Sequence, residues 1–165
     1  MILACAIALY IAAITSANLI VATFGPLVSP INAFFLIGLD LTLRDWLHVR
    51  LRLWQMAALI VAAGSITYML NPSSGAVAVA SACAFSAAAL VDWVVFANVR
   101  GPWLIRANGS NVAAAAVDSI IFPTLAFGAL LPHIVLLQFA AKVAGGAVWA
   151  WLFNRITGSK ASVQA

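Results

Sequence analysis

Six apolar stretches, at about residues 2–24, 30–47, 53–70, 76–99, 108–129 and 133–153, alternate along the chain with short polar or helix-breaking connections. Each is close to the length of roughly 20 residues that a helix needs to cross a hydrocarbon core about 30 Å thick. The pattern predicts an all-α, integral membrane bundle of six transmembrane helices in a single domain. Gly25-Pro26 and Ser29-Pro30 break the chain after the first stretch, Asn71-Pro72-Ser73-Ser74-Gly75 after the third, and a turn is expected over Ala129 to His133. Arg100-Gly-Pro-Trp103 reads as a basic connection with an interfacial Trp.

Smaller patterns lie inside the stretches. Ala4, Ala8, Ala12 and Ser16 recur at four-residue spacing, a small-residue face suited to close approach of another helix of the chain, or alternatively of a partner. Asn18 follows it, placed either to hydrogen-bond a neighbouring helix or to reach a ligand. The fourth stretch is rich in Ala and Ser, again a composition for close packing. Cys5 and Cys83 fall within apolar segments and read as packing residues. With no Cys-x-x-Cys and no His clustered with them, neither a disulfide framework nor a metal site is expected.

Composition strengthens the membrane reading. Of 165 residues, 65% are hydrophobic and only 7% charged, and the mean hydropathy is +1.12. Six spans use nearly the whole chain, leaving no room for a soluble catalytic or nucleotide-binding domain. The first stretch is long and lacks a basic leader, so it is expected to stay in the protein. The net charge of +4 points to membrane topology rather than to nucleic acid. Apart from Lys142, the bases fall only at or after the end of the second stretch (Arg44, Arg50, Arg52), after the fourth (Arg100, Arg106) and after the sixth (Arg155, Lys160). By the positive-inside rule both termini are cytoplasmic, in a bacterial inner membrane. Asp45 to Arg52 reads as a solvated helix end. Asp40 and Arg44, four apart with the acid first, read as a helical ion pair.

Two charges fall near the centres of spans. Asp118 lies in the fifth and Lys142 in the sixth, where an isolated charge costs about 2.5–3.5 kcal/mol on insertion scales. In an antiparallel hairpin turning near Leu130, residues whose numbers add to about 260 share a depth, at about 1.5 Å of rise per residue. Asp118 is then level with Lys142, Asn111 with Trp149, and Phe122 with Gln138. Helical spacing puts Asn111, Asp118 and Phe122 on one face, and Gln138, Lys142, Gly145 and Trp149 on one face of the other helix. This stripe is either a structural ion pair with amides holding two helices together, or the lining of a pocket for a flat, polar solute. Asp92 and Trp93, about two turns from the end of the fourth span, either reach Arg100 or face a polar cavity.

Several chemistries are absent. There is no Gly-x-x-x-x-Gly-Lys-[Ser/Thr] loop, so ATP-driven work would need a partner ATPase. His-Glu-x-x-His is missing, since the chain has no Glu and only His48 and His133. Ser110 or Ser119 with His133 lacks a nucleophile elbow. A non-enzyme without a cofactor is expected.

The run Arg106-x-Asn-Gly-Ser-Asn111, then Asp118-Ser119-x-x-Phe122, then Gln138-x-x-x-Lys142-x-x-Gly145-Gly-Ala-Val-Trp149, resembles the C-terminal half of the vitamin uptake transporter family, also described as queuosine precursor transporters. Asn32-Ala-Phe-Phe-Leu-Ile-Gly-Leu-Asp40-x-x-x-Arg44-Asp45 is similar to the acidic motif of that family's second helix. The chain departs from the pattern in being short and in lacking Glu.

The resemblance implies a six-helix importer of 7-cyano- or 7-aminomethyl-7-deazaguanine for tRNA modification. On that reading Asp118 or Asp92 supplies a carboxylate, Lys142, Asn111 or Gln138 donate, and Trp149, Trp93 or Phe122 stack, with Asn18 close by. Asp40, Arg44 and Arg106 would form a cytoplasmic gate. Two other classes stay open: the substrate-binding subunit of an energy-coupling factor transporter docking through Ala4, Ala8 and Ala12, and a non-transport scaffold. A homo-oligomer fits any of them.

Overall fold

The computed structural model describes residues 2–157. The tail expected to be mobile, Gly158 to Ala165, lies outside them, as does Lys160. Among the described residues there are six helices long and apolar enough to cross a membrane, and no strand. They are α1 (Ile2–Phe24), α2 (Pro26–His48), α3 (Leu53–Leu70), α4 (Gly75–Asn98), α5 (Trp103–Phe127) and α6 (Pro132–Thr157). The fifth helix begins before the stretch at 108–129, because the basic connection is itself helical from Trp103. Glycines in the left-handed region end two helices: Gly25 (φ 76°) between α1 and α2, and Gly128 (φ 69°) after α5.

The helices pack as a closed ring in the spatial order α1, α3, α4, α5, α6, α2 and back to α1. The most extensive pairing is α4 with α5, and small side chains explain it. Ala80, Ser81, Ala84 and Ala88 on α4, and Ala107, Ala114 and Ala115 on α5, are all buried. In lipid, where apolar surface gains little from leaving the solvent, backbone approach of this kind is a main source of helix association. Large apolar residues such as Phe24, Leu27, Met69 and Leu136 remain exposed, as expected of surfaces that meet acyl chains.

α1 turns its other side inward. Tyr10, Ala13, Ile14, Ala17 and Val21 are buried, whereas Ala4, Ala8, Ala12 and Ser16 are exposed. The small-residue stripe is therefore not an intramolecular packing face: the larger Tyr10 and Ile14 fill the space between α1 and its neighbours. Cys5 and Cys83 are exposed as well, not packed in the interior.

α2 is the irregular helix. It runs through a 3-10 turn (Pro26–Val28), a short α segment (Ser29–Asn32), a π-helical turn (Ala33–Ile37) and a regular helix (Gly38–His48). Single π turns inside α-helices recur at functional sites. Here the turn lies against α6, where the two backbones nearly touch. A Cβ on Gly38 would stand 2.6 Å from the carbonyl carbon of Gly145, and one on Gly145 would collide with the carbonyl oxygen of Phe34. Thr42 Oγ1 also donates to the Gly146 carbonyl at 3.4 Å.

Candidate functional site

The close seam between α2 and α6 sets the middle of the bundle. Lys142 Nζ lies 2.5 Å from Asp118 Oδ2 and donates to Gln138 Oε1 at 2.9 Å and Ser119 Oγ at 3.2 Å. An ammonium has three hydrogens, so these partners satisfy it fully. Gln138 Nε2 in turn donates to Ser29 Oγ on α2. Asp118, Ser119, Gln138 and Lys142 are all at most 2% exposed. Pro123 in α5 cannot donate to the carbonyl of Ser119, which loosens the helix beside this network.

Asp118, Gln138 and Lys142 border a small cavity of about 20 Å³, whose wall also includes Asn18, Ser29, Asn32, Phe85 and Phe122. That is room for about one water. Two acceptors on the wall have no hydrogen-bond partner: Asp118 Oδ1 and Asn32 Oδ1. Asn32 Nδ2 is occupied by the Ala17 carbonyl at 3.0 Å, so the orientation of the amide leaves its oxygen free. Asn18 Nδ2 reaches Thr67 Oγ1 at 3.4 Å, making Asn18 both a link to α3 and a wall residue.

The depth-matched pairs divide. Asp118 meets Lys142, and Phe122 and Gln138 line the same cavity. Asn111 and Trp149 do not line it. Asn111 is buried beside Gly146, with both side-chain polar atoms unpartnered, and Trp149 is half-buried outside the cavity. Gly145 and Gly146 instead draw α6 against Phe34, Gly38 and Leu41 of α2.

Asp92 and Trp93 also belong elsewhere. Asp92 Oδ2 lies 3.9 Å from Arg44 Nε and 3.8 Å from His48 Nδ1, and Trp93 is half exposed. With His48 and Arg44 they border a second cavity of about 70 Å³. Asp92 thus turns across to α2 rather than along its own helix to Arg100. Arg44 points to Asp92 instead of pairing with Asp40, whose two oxygens have no hydrogen-bond partner. Asp45, expected in a solvated helix end, is fully buried together with Leu47. α2 continues into the bundle to His48, so its last polar turn faces inward. Arg106 donates from Nε and Nη2 to the Phe96 carbonyl, both at 3.2 Å, and covers the Phe96 ring at 4.2 Å. Phe96 in turn meets His48 edge-on at 4.8 Å.

Ser29, Asn32, Ser81 and Phe85 complete the first cavity, and little in the local pattern of residues marks them. The one available signal was Asn32, an amide inside an apolar span just after a Pro.

A ring of six helices, each long and apolar enough to cross a membrane, around buried, hydrogen-bonding side chains has the form of a polytopic membrane protein. A family model described as "Putative vitamin uptake transporter" matches residues 1–156. The chain belongs to that family. No curated protein and no solved structure matches it.

Proposed function

We propose that this membrane transporter imports a 7-deazaguanine queuosine precursor, 7-cyano- or 7-aminomethyl-7-deazaguanine, or a similarly flat polar metabolite, through the cavity at Asp118 and Lys142. Both termini face the cytoplasm of a bacterial inner membrane. The observation that carries the reading is the pair of free acceptors, Asp118 Oδ1 and Asn32 Oδ1, in one buried cavity. A guanine-like edge presents an N1–H and an exocyclic amine as adjacent donors, which two acceptors satisfy together. Gln138 and Lys142 are the donors for a ring carbonyl, and Phe85 and Phe122 are apolar walls for the ring faces. Ligand sites usually span about 300–1,000 Å³, so the helices must part to admit the solute. Asp40, Arg44 and Arg106 stand toward the cytoplasmic end of that route.

The test is rescue of queuosine in tRNA. Cells unable to make or import the precursor express this chain alone and are fed 7-cyano-7-deazaguanine at low concentration, with modified tRNA read by boronate gel shift. Wild type rescues and Asp118→Asn does not. Absence of rescue by wild-type protein verified in the membrane overturns the self-sufficient deazaguanine importer.

One observation favours a second reading, the substrate-binding subunit of an energy-coupling factor transporter. The Ala4, Ala8 and Ala12 stripe is exposed and would let a transmembrane partner approach α1 closely. Co-purification of an ATPase, lost on Ala8→Leu, selects it.

A further inference from the structure

We propose that Asp45, His48 and Asp92 bind a divalent first-row transition-metal ion, holding α2 to α4 at the end of the bundle where α2 leads into α3. The site is separate from the Asp118 cavity and stands whether or not the solute reading does.

Tertiary structure creates the ligand set. Asp45 and His48 are three residues apart on α2, and Asp92 comes from α4. One carboxylate oxygen from each Asp and one His48 nitrogen all lie within 4.8 Å of one another, with His48 Nδ1 and Asp92 Oδ2 at 3.8 Å. Around a tetrahedral zinc with bonds of about 2.0–2.2 Å, ligand atoms stand roughly 3.3–3.6 Å apart. Modest side-chain rotations therefore close the three atoms onto one ion.

Convergence of acids alone would not establish a site. The independent observation is that buried polar atoms of these groups lack hydrogen-bond partners. Asp45 is fully buried, and neither of its oxygens has a hydrogen bond; the same holds for Asp92 Oδ1 and His48 Nδ1. Buried ionised carboxylates normally carry a full set of hydrogen bonds, a counter-charge or a metal. The local charge points the same way. Asp45 and Asp92 share Arg44 as their nearby guanidinium, and Arg44 approaches Asp92 only at 3.9 Å without hydrogen-bond geometry at Nε. With His48 neutral, as a metal ligand must be, the two ligand carboxylates outweigh that one guanidinium. A divalent ion balances them.

Ligand type narrows the ion. One imidazole with two carboxylates suits Zn²⁺, Mn²⁺ or Fe²⁺ rather than Mg²⁺ or Ca²⁺, which prefer all-oxygen shells, or Cu(I), which prefers sulfur. The cavity of about 70 Å³ bordered by Arg44, His48, Met56, Asp92 and Trp93 gives a way in and space for water to complete the coordination shell. The His48 side chain, 16% exposed, stands at its edge. The ion would join two helices that share little other packing.

The test uses the full chain without an affinity tag, purified in detergent and stripped with chelator. Zn²⁺ and Mn²⁺ are titrated separately by calorimetry, and Co²⁺ is titrated by its visible absorption. Wild type is expected to take up one equivalent, with a nitrogen- and oxygen-ligated Co²⁺ spectrum. His48→Gln at the cavity edge is expected to weaken binding by more than about tenfold while eluting as a monodisperse helical protein. Asp45→Asn does the same, and His133→Gln, at the opposite end of the bundle, leaves binding unchanged. The proposal fails if none of the three ions binds saturably, or if folded His48→Gln and Asp45→Asn bind as tightly as wild type.

Discussion

Lys142 and Asp118 form a 2.5 Å ion pair in the interior of the bundle, with only one carboxylate oxygen engaged. The pair is at once a structural link between α5 and α6 and a half-used acceptor on a cavity wall. Deleting one partner separates these roles from deleting both. Asp118→Asn strands a buried ammonium and is expected to destabilise the protein by about 3–5 kcal/mol. Asp118→Asn combined with Lys142→Met removes the charges together and restores most of that stability, yet neither variant transports. Thermal unfolding in detergent and the tRNA rescue assay read the two effects independently. A double variant that transports normally would show the pair to be structural only.

Gln138 bridges Ser29 of α2 to Lys142. Gln138→Leu leaves a buried hydroxyl and one ammonium hydrogen unpaired, a loss of about 1–3 kcal/mol for each stranded group. The unfolding midpoint falls and solute binding weakens. Gln138→Glu keeps an acceptor for Lys142 and is expected to be milder in stability than Gln138→Leu.

Gly145 packs against the backbone of Phe34 with no room for a Cβ. Gly145→Ala must push α6 away from the π turn of α2, so it lowers stability and displaces Gln138 and Lys142 from the cavity. Gly64 has open space around its missing Cβ, and Gly64→Ala in the interior of α3 should be neutral or stabilising by up to about 1 kcal/mol. Thermal unfolding of both variants checks the contrast.

Trp93 borders the second cavity and not the first. Trp93→Ala is expected to leave deazaguanine binding within about twofold, whereas Phe122→Ala reduces it by tenfold or more, since stacking on a ring is worth about 1–3 kcal/mol. Equal losses in both variants would move the solute toward Asp92. A thermal shift titration with 7-cyano-7-deazaguanine distinguishes these outcomes.

Much of this architecture was legible in the residues alone. Apolar length and the charge-free turns at residues 25–30 and 71–75 determine six helices, because a bilayer admits few other ways to satisfy a backbone. Hairpin register brought Asp118 to Lys142 and Phe122 to Gln138, since helical rise and a short turn leave little freedom in depth. What the sequence could not decide was rotation and neighbour choice. Periodicity says that Ala4, Ala8 and Ala12 share a face, but not that Tyr10 and Ile14 take the inward side. Asp45 looked like a solvated helix end because its neighbours Arg50 and Arg52 are charged, and only the continuation of α2 into the bundle buries it. Asp92 had only Arg100 to pair with along its own stretch, because Arg44 and His48 arrive from a span more than 40 positions away. The closed ring, the glycine seam between α2 and α6 and the choice of which polar groups meet are properties of packing, where contacts between distant residues compete and local pattern carries no information about the winner.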